Sequence, residues 1–342
     1  MRQFPRRSFC LPAFLLSLLL AACGGGGGEN DGNGGGKSAS SNQPLTAIAD
    51  EPGAPAATGN TATDGLNRFN FRRQQMGLPM LTRDAKLDAA ALGHSEYQRL
   101  NNEITHMQTE GRPGFTGVCL LDHPTNPNDA TCPAAKVSRL EAANYVFDQG
   151  AYAAGEVIAR SVGTSGANAA EELIAAIYHR FVIFEPMFKG FGGGAATATG
   201  GSPTYFTANF AANGLSTGLG PAQVAVYPVA NQERVPRVFY SDNEMPDPVS
   251  DANEVGYPVS VHADIRYTVT VQSFTIRPRG GAELPVYRLE STTDPHMKAT
   301  AFASAAAIIP KRVLDAGTTY DVNFVGTVNG QSVSRSWSFT TQ

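Results

Sequence analysis

Six histidines and four cysteines are the residues of this 342-residue chain best suited to metal binding, proton transfer or nucleophilic attack. None stands in a local catalytic signature: there is no HExxH pair. Any chemistry must therefore be assembled from distant positions, and no catalytic residue is assigned. Glu156 has the most telling setting, because Gly155, Val157, Ile158 and Ala159 surround it and a carboxylate there is costly unless partnered. It reads as a satisfied, inward-facing carboxylate. His94 shares a helical face with Leu87, Ala91 and Gln98, as a core or groove-edge histidine would. His123, His262 and His296 lie among turn residues and require no role. His106 after Thr105 reads on its own as a helix end, and His179 beside Arg180 as a surface pair. Glu172 stands seven residues before His179 on one expected helix, which places both on the same face; Glu171 is its competitor.

The cysteines divide by compartment. Arg2, Arg6 and Arg7 precede an apolar stretch over 11–22 that is too short for an ordinary membrane span, the pattern of a secretion signal over 1–22. Its end, Leu20-Ala21-Ala22-Cys23, resembles the bacterial lipobox, which implies that Cys23 is lipidated and becomes the mature N-terminus; a plain signal cut after Ala22 is the alternative. Gly24 in the next position implies the outer membrane in a cell that has one. Cys10 leaves with the leader, and Cys119 with Cys132 reads as one disulfide in an oxidising compartment. A zinc pair is its rival, without CxxC spacing to support it. Losing the leader's three arginines leaves 23 basic against 30 acidic residues, a balance of −7 that excludes a polyanion footprint and hence nucleic acid as a partner.

The elements that must position these residues are legible in outline. Residues 23–63 are rich in Gly, Ser, Pro and Ala and cannot bury enough apolar surface to offset chain entropy, so a disordered tether with a reach of about 30–35 Å is expected. Helical periods follow at 64–76, from Asp84 to about 101, from Arg139 to Phe147 and from Ala169 to Phe184, and Thr204–Phe210 reads as a strand. This makes 64–214 an α+β domain. From 215 to 342 the pattern changes to short β-type runs: Val224–Val229, Val235–Tyr240, Pro258–Val261, Tyr267–Ile276, Val286–Leu289, Tyr320–Val328 and Ser332–Phe339. That count and spacing suit an all-β Ig-like sandwich, and the final hairpin resembles bacterial Ig-like or fibronectin III-like modules.

The first domain carries a sharper likeness. Leu66-Asn67-Arg68, Gly77-Leu78-Pro79-Met80-Leu81, Leu87 to His94, Ile104-Thr105-His106, Gly155-Glu156-Val157-Ile158-Ala159, and Tyr178-His179-Arg180 with Gly190-Phe191-Gly192 follow one another in the order of bacterial CAP (SCP/PR-1-like) domains. The resemblance implies a CAP-type α-β-α sandwich followed by the Ig-like module. It also implies a groove in which His106, Glu156 and His179 meet, with Glu172 offered as the second acid on geometry alone. In such a groove His106 and His179 are the candidate ligands of one divalent metal such as zinc. Val157 stands where the family has asparagine, and the tryptophan that often precedes the His-Arg pair is absent.

Two functions fit these residues. One is a cell-envelope lipoprotein, held at the membrane by its lipid, whose groove binds a small ligand, a peptide or an envelope component. The other is a secreted, metal-assisted hydrolase with proteolysis as one form, using Glu156 as base or ligand orienter. The first is the preferred reading.

Overall fold

The computed structural model describes residues 16–19, 51–121, 137–216, 218–299 and 302–342. Cys23, the tether as far as residue 50, His123 and Cys132 lie outside the described residues. Order starts earlier than the composition suggested. Glu51 pairs with Arg72 at 2.8 Å, and Asp64 accepts from the backbone and hydroxyl of Thr58 at 2.7 Å, which ties residues 51–60 to the first helix.

Strand β1 (Leu16–Leu19) is followed by α1 (Thr61–Gln75), β2 (Thr82–Arg83), α2 (Ala85–Asn101), α3 (Arg139–Ala142), β3 (Tyr152–Ser161), α4 (Gly166–Ala175), α5 (Ile177–Ile183), β4 (Gly190–Thr197) and β5 (Thr204–Asn213). Asn60, Asp84 and Ser165 each accept from a backbone N–H in the first turn of α1, α2 and α4, which fixes where those helices start. The five strands form one sheet in the order β1-β3-β5-β4-β2. Alternation along β3 and β5 sorts its two faces. Val157, Phe206, Ala208 and Phe210 join Phe69 of α1 and Leu173 of α4 on one side, while Ala154 and Ala211 join Leu87 and Ala90 of α2 on the other. Glu156 and Asn209, paired across the strands, belong to the second side, between the sheet and α2.

Two expectations need correction. The helix foreseen from Arg139 to Phe147 stops at Ala142. The one foreseen from Ala169 to Phe184 is two helices, because Ala176 is extended at φ −69°, ψ 119°. The predicted stripe of Leu173, Ile177, Phe181 and Phe184 is buried all the same.

The remaining elements are β6 (Ala225–Tyr227), β7 (Gln232–Val235), β8 (Val238–Tyr240), β9 (Glu254–Gly256), β10 (Val259–His262), β11 (Val269–Pro278), β12 (Val286–Glu290), α6 (Pro295–Ala299), β13 (Ala305–Pro310), β14 (Thr319–Val328) and β15 (Gln331–Thr341). They form two four-stranded sheets, β12-β13-β10-β6 and β11-β14-β15-β7, with β8-β9 as a separate pair. All seven expected runs contain strand; β9 and the alanine-rich β13 were not foreseen. One hydrophobic core runs through both parts of the chain, from Phe69 and Val182 to Tyr227, Val261 and Ile308. Among the described residues no helix is long and apolar enough to cross a membrane.

Candidate functional site

Glu156 is fully buried, so its charge needs compensation from inside the protein. Arg139, also buried, supplies it with a bidentate contact from Nη2 at 2.6 and 2.7 Å. His106 Nδ1 donates to Glu156 Oε1 at 2.8 Å, and Asn209, with its amide nitrogen facing the carboxylate, donates to Oε2 at 3.0 Å. Burial alone would raise the Glu156 pKa, but Arg139 and the neighbouring histidines outweigh it and hold the group well below the usual carboxylate range.

The loop that presents His106 is built by its neighbours. Asn102 ends α2 in the left-handed conformation, φ 49°, and turns the chain back. His94 Nε2 donates to the Thr105 carbonyl at 2.7 Å, which leaves Nδ1 to accept from Gln108 at 2.9 Å. Burial first, and Arg139 second, push the His94 pKa down to about 3, so this ring stays neutral as a strut for the loop. Arg139 Nη1 donates to the His106 carbonyl at 2.8 Å. His106 is likewise held below the ordinary histidine range, by burial opposed by its hydrogen bond to Glu156. A positive charge on His179 would lower it further.

His179 sits on α5, and its Nδ1 donates to Glu244 Oε1 at 3.1 Å. Residues from beyond 215 pack beside it: His296 lies edge-on against Tyr178 with ring centroids 4.5 Å apart, and the Tyr178 hydroxyl donates to Asp294 at 2.9 Å. With both Nδ1 atoms committed to carboxylates, the Nε2 atoms of His106 and His179 are buried and have no hydrogen-bond partner among the described residues. A surface cleft of about 390 Å³ near the start of α2, lined by Lys86, Tyr145 and Asp148, involves neither ring.

The structure therefore brings His106 against Glu156 and pairs His179 with Glu244. Glu172 goes elsewhere: Ser161 donates to its Oε2 at 2.9 Å, because the break at Ala176 ends the continuous helix that aligned it with His179. Glu171 pairs with Arg72 at 2.7 Å and is no closer to this role. Arg180 is not a surface residue either; it is buried, donating to the Ile174 and Pro258 carbonyls at 2.6 Å between the rings of Tyr227 and Tyr257. Arg139 and Glu244 are the functional residues that the sequence did not reveal. A buried carboxylate calls for a cation, which was a signal for an arginine without naming one; Glu244 stood in a turn-rich stretch with no signal.

As a metal site the donor set is incomplete. Two imidazole nitrogens are left without a partner, whereas zinc sites use three or four protein ligands, and among the described residues no group of three or more His, Cys, Asp or Glu is arranged to hold an ion.

Residues 66–210 match the profile of the cysteine-rich secretory protein family, CAP. The matched segment contains His106, Arg139, Glu156 and His179, and Glu244 lies outside it. No curated protein matches the chain. Among solved structures, an extracellular protein of Bacillus anthracis containing an SCP domain is 23% identical over 44% of this chain, at a TM-score of 0.31. The match spans 39% of that protein's length. An outer surface protein of Borrelia burgdorferi is 15% identical, with 44% of this chain and 94% of its own length covered and a TM-score of 0.32.

Proposed function

We propose that this chain is a lipid-anchored, extracytoplasmic binding protein whose CAP groove holds its ligand, a divalent metal or a hydrogen-bond donor, on the Nε2 atoms of His106 and His179. The observation that carries the reading is the pair of buried imidazoles, each with Nδ1 engaged by a carboxylate and Nε2 left as an unpartnered acceptor. Residues beyond 215, in the part taken as the Ig-like module, support the His179 end of the site through Glu244. The hydrolase reading is less favoured by the same geometry: a general base works best with a pKa near the operating pH, and Glu156 is locked on Arg139 with its pKa held far below that.

Titrating the purified full chain with zinc in a calorimeter tests the site. Saturable heat should appear in the wild type and vanish in His106→Ala and in His179→Ala. Equal heat from all three would remove the two rings from the site. Anchoring is tested separately. Detergent-phase partitioning should carry the wild type to the detergent and release Cys23→Ser, and equal retention would sink the lipid anchor. The Cys119–Cys132 bridge belongs to the same proposal and predicts an unreduced mass two hydrogens below that of the dithiol.

A further inference from the structure

Helix α5 has no side-chain cap of its own, since Ala176 stands at its N-cap. Glu244, 65 residues past His179 and outside the CAP segment, fills that place. Its Oε2 accepts from Ile177 N at 2.7 Å, and its Oε1 accepts from Tyr178 N at 2.7 Å and His179 N at 3.2 Å. That same Oε1 accepts from His179 Nδ1 at 3.1 Å, so one buried oxygen fixes both the backbone and the ring of a single residue. A carboxylate accepts only, which puts a proton on Nδ1, so that the neutral ring carries its lone pair on Nε2. Glu156 does the same for His106 from within the CAP segment.

We infer that Glu244 is a positioning residue of the groove: the C-terminal part of the chain reaches into the CAP segment and sets the tautomer and direction of His179, so the binding site is complete only with both parts present. The inference deepens the binding reading and rests on it for the ligand, though its central observable does not need one.

Nitrogen-15 NMR of the histidine-labelled full chain measures that observable. Wild-type His179 should be the Nδ1–H tautomer with an unprotonated Nε2. In Glu244→Gln the Nδ1–H fraction should fall and cobalt(II) affinity should weaken about 10- to 100-fold. Glu244→Asp should keep part of both, and the His106 signals should be unchanged throughout. A wild-type His179 protonated at Nε2, or a Glu244→Gln spectrum identical to wild type at His179, overturns the inference. If Glu244→Gln does not fold, the wild-type tautomer and Glu244→Asp still decide it. A correct tautomer with no cobalt binding in the wild type would uphold the positioning role and defeat the metal reading instead.

Discussion

Replacing Arg139 by methionine would keep most of its stem but leave the Glu156 carboxylate, 0% exposed, with only His106 and Asn209 as donors. An uncompensated buried charge costs about 3–5 kcal/mol, so urea unfolding of Arg139→Met should show a loss of that order. Adding Glu156→Gln should restore a substantial part, because the charge that needed Arg139 is gone. A double variant no more stable than Arg139→Met would show that the guanidinium acts through its bond to the His106 carbonyl instead. At this scale the sequence was half legible. An acid among apolar residues announces that it is buried and partnered; its partner was hidden because Arg139 reads equally well as the first residue of a solvated helix.

The glycine run 190–194 shows what is lost at the scale of elements. Glycine is depleted in strands, so this stretch gave no strand signal, yet it forms β4. The reason is close approach. A Cβ on Gly192 would collide with the backbone of Leu87, and one on Gly194 with the backbone of Leu92, both on α2. Ser95 of that helix then reaches the Gly194 carbonyl at 2.9 Å. Gly194→Ala should therefore lift α2 from the sheet and cost about 1–3 kcal/mol, read as a lowered thermal midpoint. An unchanged midpoint would mean that α2 yields more easily than its backbone contacts suggest. The break at Ala176 was equally silent, since alanine favours helix; what stops the helix there is tertiary, the Glu244 carboxylate taking the N–H groups of the next turn. By contrast, the alternation in β14 and the Asp84 cap of α2 were readable because both are local.

For the whole molecule the junction matters most, and Glu185 is its probe. This buried residue accepts from Met187 N at 3.1 Å and from Ile265 N, across the junction, at 3.0 Å. Burial pushes its pKa up to about 8, with Asp264 adding to the rise and Arg73 opposing it. The folded protein then keeps a proton that the unfolded chain releases near pH 4.5, so this group's contribution is full below that pH and is lost as pH climbs towards 8. Glu185→Gln, neutral at every pH, should gain on the wild type between pH 5 and pH 8 by up to about 1.4 kcal/mol per pH unit. The opposite slope of buried His94 is common to both proteins and cancels in the comparison. Parallel stability curves would show that Glu185 is ionised in the folded state.

Arg180 and its two tyrosines impose an order on assembly. The guanidinium finds its acceptor at Pro258 and its flanking rings at Tyr227 and Tyr257 only after those residues have left the ribosome, long after the last strand of the five-stranded sheet. At about 5–20 residues per second, the stretch from Leu215 to Ser260 takes about 2–9 s to synthesise. Throughout that interval Phe181, Phe184 and a buried-type arginine lack the rings of Phe302, Tyr227 and Tyr257 that cover them in the folded chain. On the binding reading, the proposed site is thus unfinished until the part that looks like an accessory has arrived, which makes its completion a matter of timing as much as of sequence.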